Sequence, residues 1–555
     1  MSSLVKAISV AILMGTAGQS AAAVTGAAVD RALVAIKQNA AATRLSVSDS
    51  FSARSVTVDR NGTEHVRLER TYKGLPVIGG DLVVHSRAGI FKGASLTQAK
   101  PLTLSTTPIL TSSQAITQAG VQFGTKFDAL PTARLVVYAA RTTPALAYDV
   151  LYVGAAADKT PIRMHYYVDA MTGAILAKQN SVHTGTLPGT GGQTGTPVPP
   201  PNVTAVTGIG NSLFAGVVPM YAQWNGTRRM YELKDPTRGN THIMDAGNGY
   251  RTDAATLVVD ADNKWGNGAL TDRVSTGVDA AYGFTKTWDY YKTVFGRNGI
   301  RGDGVGASGA IHYSLNYVNA FWNDDCFCMA FGDGNGTTVR PLVAIDIVGH
   351  EVSHGVTSNT AGLIYNSESG GLNEATSDIF GTMIEHYTNN PKQPPNYVIG
   401  EQIFTTPAWN KAIRWMFKPN LDGISPDCYP SATTPSNGIT LGNFKAMDVH
   451  YSSGVANHFF YLLAEGAVVP AGYGAGTPAN LTPASLVCNG NTALAGIGRD
   501  AAQQIWYRAL TLYMTANSDY AQTRVATMNA AADLFGAGSV QQNAVAATWD
   551  AVYMP

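Results

Sequence analysis

A histidine–glutamate–histidine motif is the strongest chemical signal in this chain of 555 residues. It reads His350-Glu351-Val352-Ser353-His354. Residues four apart lie on the same face of a helix, so both imidazoles could bind one metal ion. Glu351 would lie at the edge of that face, close enough to take a proton from metal-bound water. The spacing therefore predicts a hydrolytic metal centre, although an HExxH pattern by itself also arises by chance.

A second helix is predicted shortly after the motif from apolar residues at helical spacing. These residues are Leu372, Ala375, Ile379, Met383 and Tyr387. Glu374 and Asp378 share one face of this helix. Glu374 could complete a His₂Glu zinc site with an open position for water, and Asp378 could accept the free ring N–H of a ligand histidine. The alternative is that both acids lie on a solvated helix face.

Residues 350–378 resemble the thermolysin family of zinc metallopeptidases, close to its vibriolysin and pseudolysin branch. The similarity covers nearly all of residues 204–555. Upstream, residues 72–77 resemble the family's inhibitory propeptide, and residues 110–180 its second module. The resemblance implies an endopeptidase with one zinc ion per chain, made as a zymogen that processes itself. Its own propeptide would serve as inhibitor and folding aid.

The expected fold class is α+β. Residues 25–183 carry β-like runs at 66–72, 81–85, 135–139 and 163–168. Residues from about 204 to 331 are mainly β-like with one helix near residues 280–295, and residues from 342 onward are mainly helical. Such segregation favours two lobes with a cleft between them. The resemblance implies a thermolysin-like catalytic domain with a β-rich N-lobe and a helical C-lobe, with zinc in the cleft. An α+β propeptide would precede it.

The resemblance also assigns groups that stabilise the oxyanion of the tetrahedral intermediate. Tyr365 and His450 match the family's hydrogen-bond donors, and Asp448 would hold the imidazole and favour its charged form. The alternative is that Tyr365 is a core aromatic and His450 an ordinary polar residue. The remaining histidines are interpreted as structural or solvated.

Substrate is expected to lie extended along an edge strand. Asn319 and Ala320 occupy the family's substrate-backbone positions. Arg414 matches the arginine that holds the carbonyl after the scissile bond; a surface salt bridge is its alternative role. Four isoleucines fall where the family builds an apolar pocket for the residue following the cut, although each is equally an ordinary core residue. They are Ile347, Ile399, Ile403 and Ile413.

The proposed pocket predicts a bulky apolar residue, such as Leu or Phe, just after the scissile bond. Ile347 lies one turn before His350, and Ile413 directly precedes Arg414, so both should face the same end of the cleft. Ile399 and Ile403 are four apart and are expected to share a helical face.

A structural calcium site is a further implication of the resemblance. The carboxylates at matching positions are Asp346, Glu385 and Glu401. Asn396 and Thr382 stand where relatives often have acids. An asparagine can still offer a carbonyl oxygen, but fewer charges mean weaker binding. We therefore expect one calcium ion.

The chain departs from the family in a short insertion at residues 323–328, which contains Cys326 and Cys328. These two could pair, coordinate a ligand or stay free. Cys428 and Cys488 are expected to bridge each other in an exported protein. Four cysteines allow three connectivities, and the sequence does not choose among them.

The domain organisation follows from these patterns and from the N-terminus. Lys6, the apolar residues 7–14 and small residues at 21–23 predict a secretory signal; a buried helix is the alternative. The expected segments are a signal at 1–23, a propeptide at 24–183 with modules at 24–105 and 106–183, a Gly/Thr/Pro-rich processing linker at 184–203, a β-rich lobe at 204–350 and a helical lobe at 351–555.

The balance of charged residues bears on which binding partners are expected. Lys+Arg and Asp+Glu balance at 38 each, so neither nucleic acid nor a membrane surface is expected as a partner. We expect a secreted, extracellular monomer that acts on proteins and peptides. Two alternatives are an adhesion module with a vestigial site and another zinc hydrolase. The metzincin pattern is absent, because position 360 is Thr rather than His.

Overall fold

The structure is a computed structural model that describes residues 21–124, 126–155, 161–184, 203–431, 433 and 435–554. Most of the predicted signal sequence and most of the predicted linker lie outside these residues. Within the described ranges, the helices all lack the combination of length and apolar character that a membrane span requires.

Two modules of the N-terminal region share one nine-stranded sheet. The modules join where β3 pairs in parallel with β6, with Val77 opposite Val137. The helices are α1 (Ala21–Gln38), α2 (Ala40–Thr43) and α3 (Ser112–Phe123). The strands are β1 (Asp49–Val58), β2 (Thr63–Tyr72), β3 (Leu75–Ile78), β4 (Leu82–Arg87), β5 (Ile90–Leu96), β6 (Thr132–Tyr138), β7 (Ala145–Ala155), β8 (Pro161–Asp169) and β9 (Ile175–Asn180).

Two features of the sequence explain why these strands and helices form: apolar side chains alternate along the strands, and a polar residue caps α3. Val66 and Leu68 of β2 point to one face, where Ala32 and Ile36 of α1 cover them in a common core. In the second module, Thr111 caps α3 by accepting a hydrogen bond from the Gln114 N–H. The predicted β-runs of this region are confirmed.

The β-rich lobe contains two further sheets and one long helix. The predicted helix near residues 280–295 begins earlier, because Asp272 caps α4 (Arg273–Phe295) by accepting from the Val274 N–H. The strands are β10 (Val182–Thr184), β11 (Val203–Asn211), β12 (Val217–Asn225), β13 (Met230–Glu232), β14 (Lys234–Asp235), β15 (Thr241–Asp245), β16 (Thr256–Leu257), β17 (Val259–Asp260), β18 (Lys264–Trp265), β19 (Ser308–Ile311), β20 (Ala320–Asn323) and β21 (Cys328–Phe331).

One of these strands comes from the N-terminal region. β10 pairs antiparallel with β20 at the edge of a seven-stranded sheet, with Thr184 opposite Phe321. The linker that was predicted to begin at Thr184 therefore begins after this residue. The N-terminal region is thus joined to the β-rich lobe through a shared sheet.

The rest of the chain is mainly helical, as predicted. Its helices are α5 (Ile345–Ser358), α6 (Ser367–Thr388), α7 (Leu441–Ala446), α8 (Val449–Ser452), α9 (Gly454–Glu465), α10 (Arg499–Arg508), α11 (Tyr520–Phe535) and α12 (Val540–Ala551). A π-helical turn, Ala509–Tyr513, continues α10. Two short strands, β22 (Val398–Ile399) and β23 (Arg414–Trp415), pair with each other.

Close packing of α5 against α6 positions the predicted metal ligands. A Cβ on Gly381 would lie 2.5 Å from the Asp346 carbonyl oxygen, and one on Gly349 would lie 3.1 Å from the Gly381 Cα. Only glycines allow the two helices to approach this far. Almost every residue of α5 is buried, so the helix runs through the core between the lobes.

Both disulfides are defined. Cys326 pairs with Cys328, and Cys428 pairs with Cys488. The expected 428–488 bridge is confirmed, and the insertion is closed by the other bond. Of the three connectivities that the sequence allows, the structure selects the one with the shortest loops.

Candidate active site

Three side chains on α5 and α6 converge on one point. His350 Nε2 lies 3.2 Å from His354 Nε2 and 3.5 Å from Glu374 Oε2, and His354 Nε2 lies 3.3 Å from Glu374 Oε1. Zinc holds ligands at roughly 2.0–2.1 Å, which separates tetrahedral neighbours by about 3.3–3.4 Å. The two imidazole nitrogens and the Glu374 carboxylate, each nitrogen near a different carboxylate oxygen, are therefore close enough together to hold one zinc ion.

Neighbouring side chains orient both imidazoles. His350 Nδ1 lies 2.8 Å from Asp378 Oδ1, and His354 Nδ1 lies 2.8 Å from Asn373 Oδ1. Each contact directs the other ring nitrogen, Nε2, towards the point of convergence. Glu374 and Asp378 are both fully buried, so the alternative of a solvated helix face is wrong.

Asp378 is held from two further directions. Arg414 donates through Nε to Asp378 Oδ2 at 2.7 Å and through Nη2 to Oδ1 at 2.6 Å. Asn457 Nδ2 donates to Oδ2 at 2.7 Å. Arg414 is buried, which excludes the surface salt bridge considered for it. This network keeps the pKa of Asp378 well below its usual range, because Arg414 and His350 outweigh the effect of burial.

The same contacts set the charges of the ligands. Burial acts to lower the pKa of His350, but hydrogen bonds to Asp378 and Glu374 outweigh it and raise that pKa to about 10. Burial also acts to raise the pKa of Glu374, yet nearby His450 and His354 hold it well below its usual value. A cation is therefore strongly favoured between these groups, whether it is a proton or a metal ion.

The other predicted catalytic residues surround this point. Glu351 is buried on α5 between the two histidines. The Tyr365 hydroxyl donates to Glu374 Oε1 and lies 3.2 Å from His450 Nε2. His450 Nδ1 lies 2.6 Å from Asp448 Oδ1. Burial alone would lower the pKa of His450, but the charges of Glu374 and Asp448 raise it.

The predicted substrate-backbone residues lie at the start of β20. Asn319 and Ala320 are buried there, and the Asn319 amide oxygen accepts from the Ala320 N–H at 2.9 Å. The edge of β20 is occupied by β10. His183 of β10 stacks on His354 with ring centroids 5.2 Å apart, and it meets Tyr365 edge-on at 4.8 Å.

Two of the four predicted pocket isoleucines meet near Gly400. A Cβ on Gly400 would lie 2.6 Å from Ile413 Cδ1 and 3.6 Å from Ile347 Cδ1. Ile399 accepts a backbone hydrogen bond from the Ile413 N–H at 2.8 Å. The expected helical face of Ile399 and Ile403 is wrong, because Ile399 ends β22 and Ile403 ends a 3₁₀ turn, Glu401–Ile403. A glycine at 400 breaks any helix between them.

The predicted calcium ligands form a separate buried cluster. Among the described residues, Glu385 Oε1 and Glu401 Oε2 are buried and make no hydrogen bond. Burial and the charges of Asp346 and Glu401 raise the pKa of Glu385 well above its usual value. Asn396 turns its amide nitrogen, rather than its oxygen, to Glu401 Oε1 at 2.9 Å. Thr382 instead donates to Met416 Sδ. The Glu385 and Glu401 oxygens that make no hydrogen bond are the type of ligand that a hard cation such as calcium prefers.

Three residues of the site were missed from sequence. Asn373 orients His354, Asn457 supports Asp378, and His183 lies over His354. Of these three, only Asn373 carries a signal in the sequence, because it directly precedes the predicted zinc ligand Glu374. Asn457 and His183 lie far along the chain from their partners and carry no local pattern.

Comparisons with known proteins match family patterns over most of the chain. The thermolysin metallopeptidase catalytic domain matches residues 207–358, and the thermolysin metallopeptidase alpha-helical domain matches residues 361–554. The fungalysin/thermolysin propeptide motif matches residues 49–96.

Several relatives are similar along nearly the whole chain. A transglutaminase-activating metalloprotease of Streptomyces mobaraensis is 43% identical over 517 residues, which are 92% of this chain and 61% of that protein. A bacillolysin of Bacillus cereus is 35% identical over 528 residues, or 91% of this chain and 85% of that protein. A thermolysin of Alicyclobacillus acidocaldarius subsp. acidocaldarius is 34% identical over 507 residues, covering 89% and 84%.

Proposed function

The chain belongs to the thermolysin family of metallopeptidases, and we propose that it is a secreted zinc endopeptidase made as a self-processing zymogen. The observation that carries this proposal is the buried triad His350, His354 and Glu374, whose imidazole nitrogens and carboxylate lie close enough together to hold one metal ion. Family membership implies zinc. When bound, zinc supplies a Lewis acid and lowers the pKa of a coordinated water.

Proton transfer is proposed for Glu351. Its carboxylate belongs to the same face of α5 as the two ligand histidines. From there it can take a proton from the attacking water and pass it to the amine that leaves. Glu374 contributes charge only, because its pKa is held well below its usual value.

Oxyanion stabilisation is proposed for Tyr365 and His450. Their donor atoms, Oη and Nε2, are 3.2 Å apart, so one substrate oxygen could accept from both. Asp448 holds the imidazole through Nδ1 and stabilises its charged form, in which Nε2 also carries a proton.

Substrate positioning is proposed for the edge of β20 and for Arg414. Asn319 and Ala320 would bind the peptide backbone as an added strand, a role supported by the way β10 pairs with β20. Arg414 donates to Asp378 through Nε and Nη2. We therefore assign its Nη1 as the donor to the carbonyl after the scissile bond. Ile347, Ile399, Ile403 and Ile413 would receive a bulky apolar side chain at that end.

Inhibition by the N-terminal region is proposed from the position of β10. Its residues cover the edge of β20 and the ring of His354, which are the surfaces a substrate would need. We propose a signal at residues 1–23, a propeptide at 24–183 and a processing linker after Thr184, followed by the two lobes on either side of α5. The propeptide would remain an inhibitor until it is released.

Calcium and cellular location complete the proposal. One calcium ion would be held by Asp346, Glu385 and Glu401, whose pKa values are all raised by burial, and those of Glu385 and Glu401 also by neighbouring carboxylates. Export is supported by the signal-like N-terminus and by two disulfides, which persist in oxidising compartments. The mature enzyme would act on proteins and peptides as a monomer.

The test is the variant Glu351→Gln. We expect hydrolysis of casein to fall by roughly 10²- to 10⁴-fold, because the base is lost, while one zinc ion per chain remains by metal analysis. The precursor should also stay at full length instead of being cut between residues 182 and 205. Glu465→Gln, the same substitution on the partly exposed last residue of α9, keeps an oxygen that can accept from Tyr397 and should behave as wild type. Full activity in Glu351→Gln would refute the mechanism, and an empty site would make Glu351 structural.

A further inference from the structure

A disulfide-closed turn lies beside the strand on which β10 rests. It connects β20 to β21 and is closed by the bond between Cys326 and Cys328. Phe327 between them has a φ of 53°, a left-handed conformation that is rare for bulky residues. Its ring packs edge-on against Trp322, with centroids 5.2 Å apart. The disulfide and this packing hold the turn in one conformation.

The turn presents Asp324 to the cleft. Its Oδ1 accepts from Trp322 Nε1 at 2.8 Å, and its Oδ2 accepts from Ser358 Oγ at 2.7 Å. Oδ2 also lies 3.1 Å from His183 Nε2. Two donors from the catalytic unit therefore fix this carboxylate, and the third partner comes from the propeptide. The neighbouring Asp325 is exposed and pairs instead with Arg163, at 2.5 Å.

His183 occupies a position that a substrate side chain would take. It lies opposite Trp322 in the β10–β20 ladder, and its ring covers the ligand histidine His354. Because the ladder is antiparallel, β10 runs from Val182 opposite Asn323 to Thr184 opposite Phe321, which is towards the start of β20. A peptide that follows the same path presents the equivalent residue to Asp324 before it reaches the backbone site.

We propose that Asp324 is a specificity-determining residue that selects His, Lys or Arg on the N-terminal side of the scissile bond. This inference rests on the proposed endopeptidase function. The selected side chain would take the place of His183 once the propeptide is gone, and it would donate to Asp324 Oδ2. Trp322 and Ser358 already orient the carboxylate, so binding requires no rearrangement of the acceptor. An acidic side chain would meet a fixed like charge and be rejected.

The first experiment needs no variant. Wild-type mature enzyme is given quenched peptides that carry Leu after the cut and differ at one preceding position, with His, Lys, Arg, Gln or Glu there. We expect one position at which His, Lys and Arg exceed Gln in kcat/KM by about 10-fold, as for a charge-assisted hydrogen bond. Glu should fall below Gln. Equal rates at every position would overturn the proposal while leaving the endopeptidase function intact.

The second experiment assigns the preference to Asp324. Asp324→Asn should lose the preference, so that its kcat/KM on the His, Lys and Arg peptides falls to the value of the same variant on the Gln peptide. Asp325→Asn is the matched control, because it removes the adjacent carboxylate and should keep the wild-type profile. A preference that persists in Asp324→Asn would overturn the assignment. Failure of the wild-type enzyme to cut any peptide would instead refute the proposed function, and this inference with it.

Discussion

At the scale of single residues, His450 has the contacts of a group that acts on the transition state. Asp448 and Tyr365 hold its two ring nitrogens at 2.6 and 3.2 Å, so its orientation is set before substrate arrives. Changing His450 to Ala should lower kcat by roughly 10²-fold with little change in KM, because the lost donor serves the oxyanion and not the ground state. Steady-state kinetics on a quenched peptide separate the two constants.

Asp448→Asn provides the graded control for this experiment. It keeps the imidazole but removes the charge that helps raise the pKa of His450. We therefore expect a smaller loss of kcat than in His450→Ala. If His450→Ala changed KM alone, His450 would be a binding residue.

The buried acids predict how calcium acts with pH. Burial and Asp346 raise the pKa of Glu401 from 4.5 to about 7. A carboxyl whose pKa is higher folded than unfolded contributes stability below the unfolded value, and this contribution is lost as pH rises through the folded value. Calcium would offset that loss by neutralising the charges. The rise in Tm on adding calcium should therefore be larger at about pH 8 than at about pH 5.

Calorimetry with zinc held constant measures this effect, with magnesium as the competing ion. Glu401→Gln removes one of the repelling charges, so its Tm should depend less on both pH and calcium. An equal calcium shift at both pH values would show that the ion does not bind this cluster.

From the sequence alone, individual site residues could be predicted only where they follow a regular spacing, such as that of a helix. His350, His354 and Glu374 follow from helical geometry, since α5 and α6 each carry their ligands on one face. His183 and Asn457 reach the site through tertiary packing from distant segments, which leaves no periodic trace. The oxyanion donors were available only through the family resemblance.

At the scale of elements, the apolar pocket is assembled from pieces that no single pattern connects. Ile347 comes from α5, Ile399 from β22, and Ile413 from the residue before β23. Changing Ile413 to Asp should convert the preference after the scissile bond from Leu or Phe towards Lys and Arg. The half-exposed position of Ile413 lets a carboxylate stay hydrated without unfolding the lobe.

Mass spectrometry of a digested peptide library measures that preference. Ile424→Asp is the matched control, because Ile424 is similarly exposed on a different loop and should leave the profile unchanged. An unchanged profile in Ile413→Asp would mean that the apolar pocket lies elsewhere.

The helices and strands that were predicted well from the sequence are those whose apolar or β-branched residues follow a regular pattern over many positions. α6 follows from its apolar spacing, and β2 and β8 from their β-rich runs. β10 is only three residues long and pairs with a strand far away in sequence, so no local signal could predict it. The break between Ile399 and Ile403 comes from Gly400, whose φ of 73° lies outside the right-handed helical region.

At the scale of the whole molecule, the propeptide is anchored at two separate places. One anchor is β10 in the cleft. The other is Arg67 on β2, which donates to the carbonyl oxygens of Met514 at 2.8 Å and Thr511 at 3.1 Å, beside the π-helical turn. Because each anchor would keep the other close to its site, the two contacts together would hold the proposed propeptide after cleavage of the linker.

The two anchors predict that loss of the distal one speeds activation. Arg67→Met should shorten the lag between cleavage of the precursor and full peptidase activity, because the buried carbonyls of the helical lobe lose their donor and the propeptide dissociates faster. The kcat and KM of the released enzyme should equal those of wild type, since its sequence is unchanged. Arg134→Met is the control: Arg134 is mostly exposed and pairs with Asp149 within the propeptide. A gel follows cleavage of the precursor, and an activity assay at the same time points gives the lag before full peptidase activity. If Arg67→Met showed the wild-type lag, the Arg67 contact would not control release of the propeptide and would serve folding only.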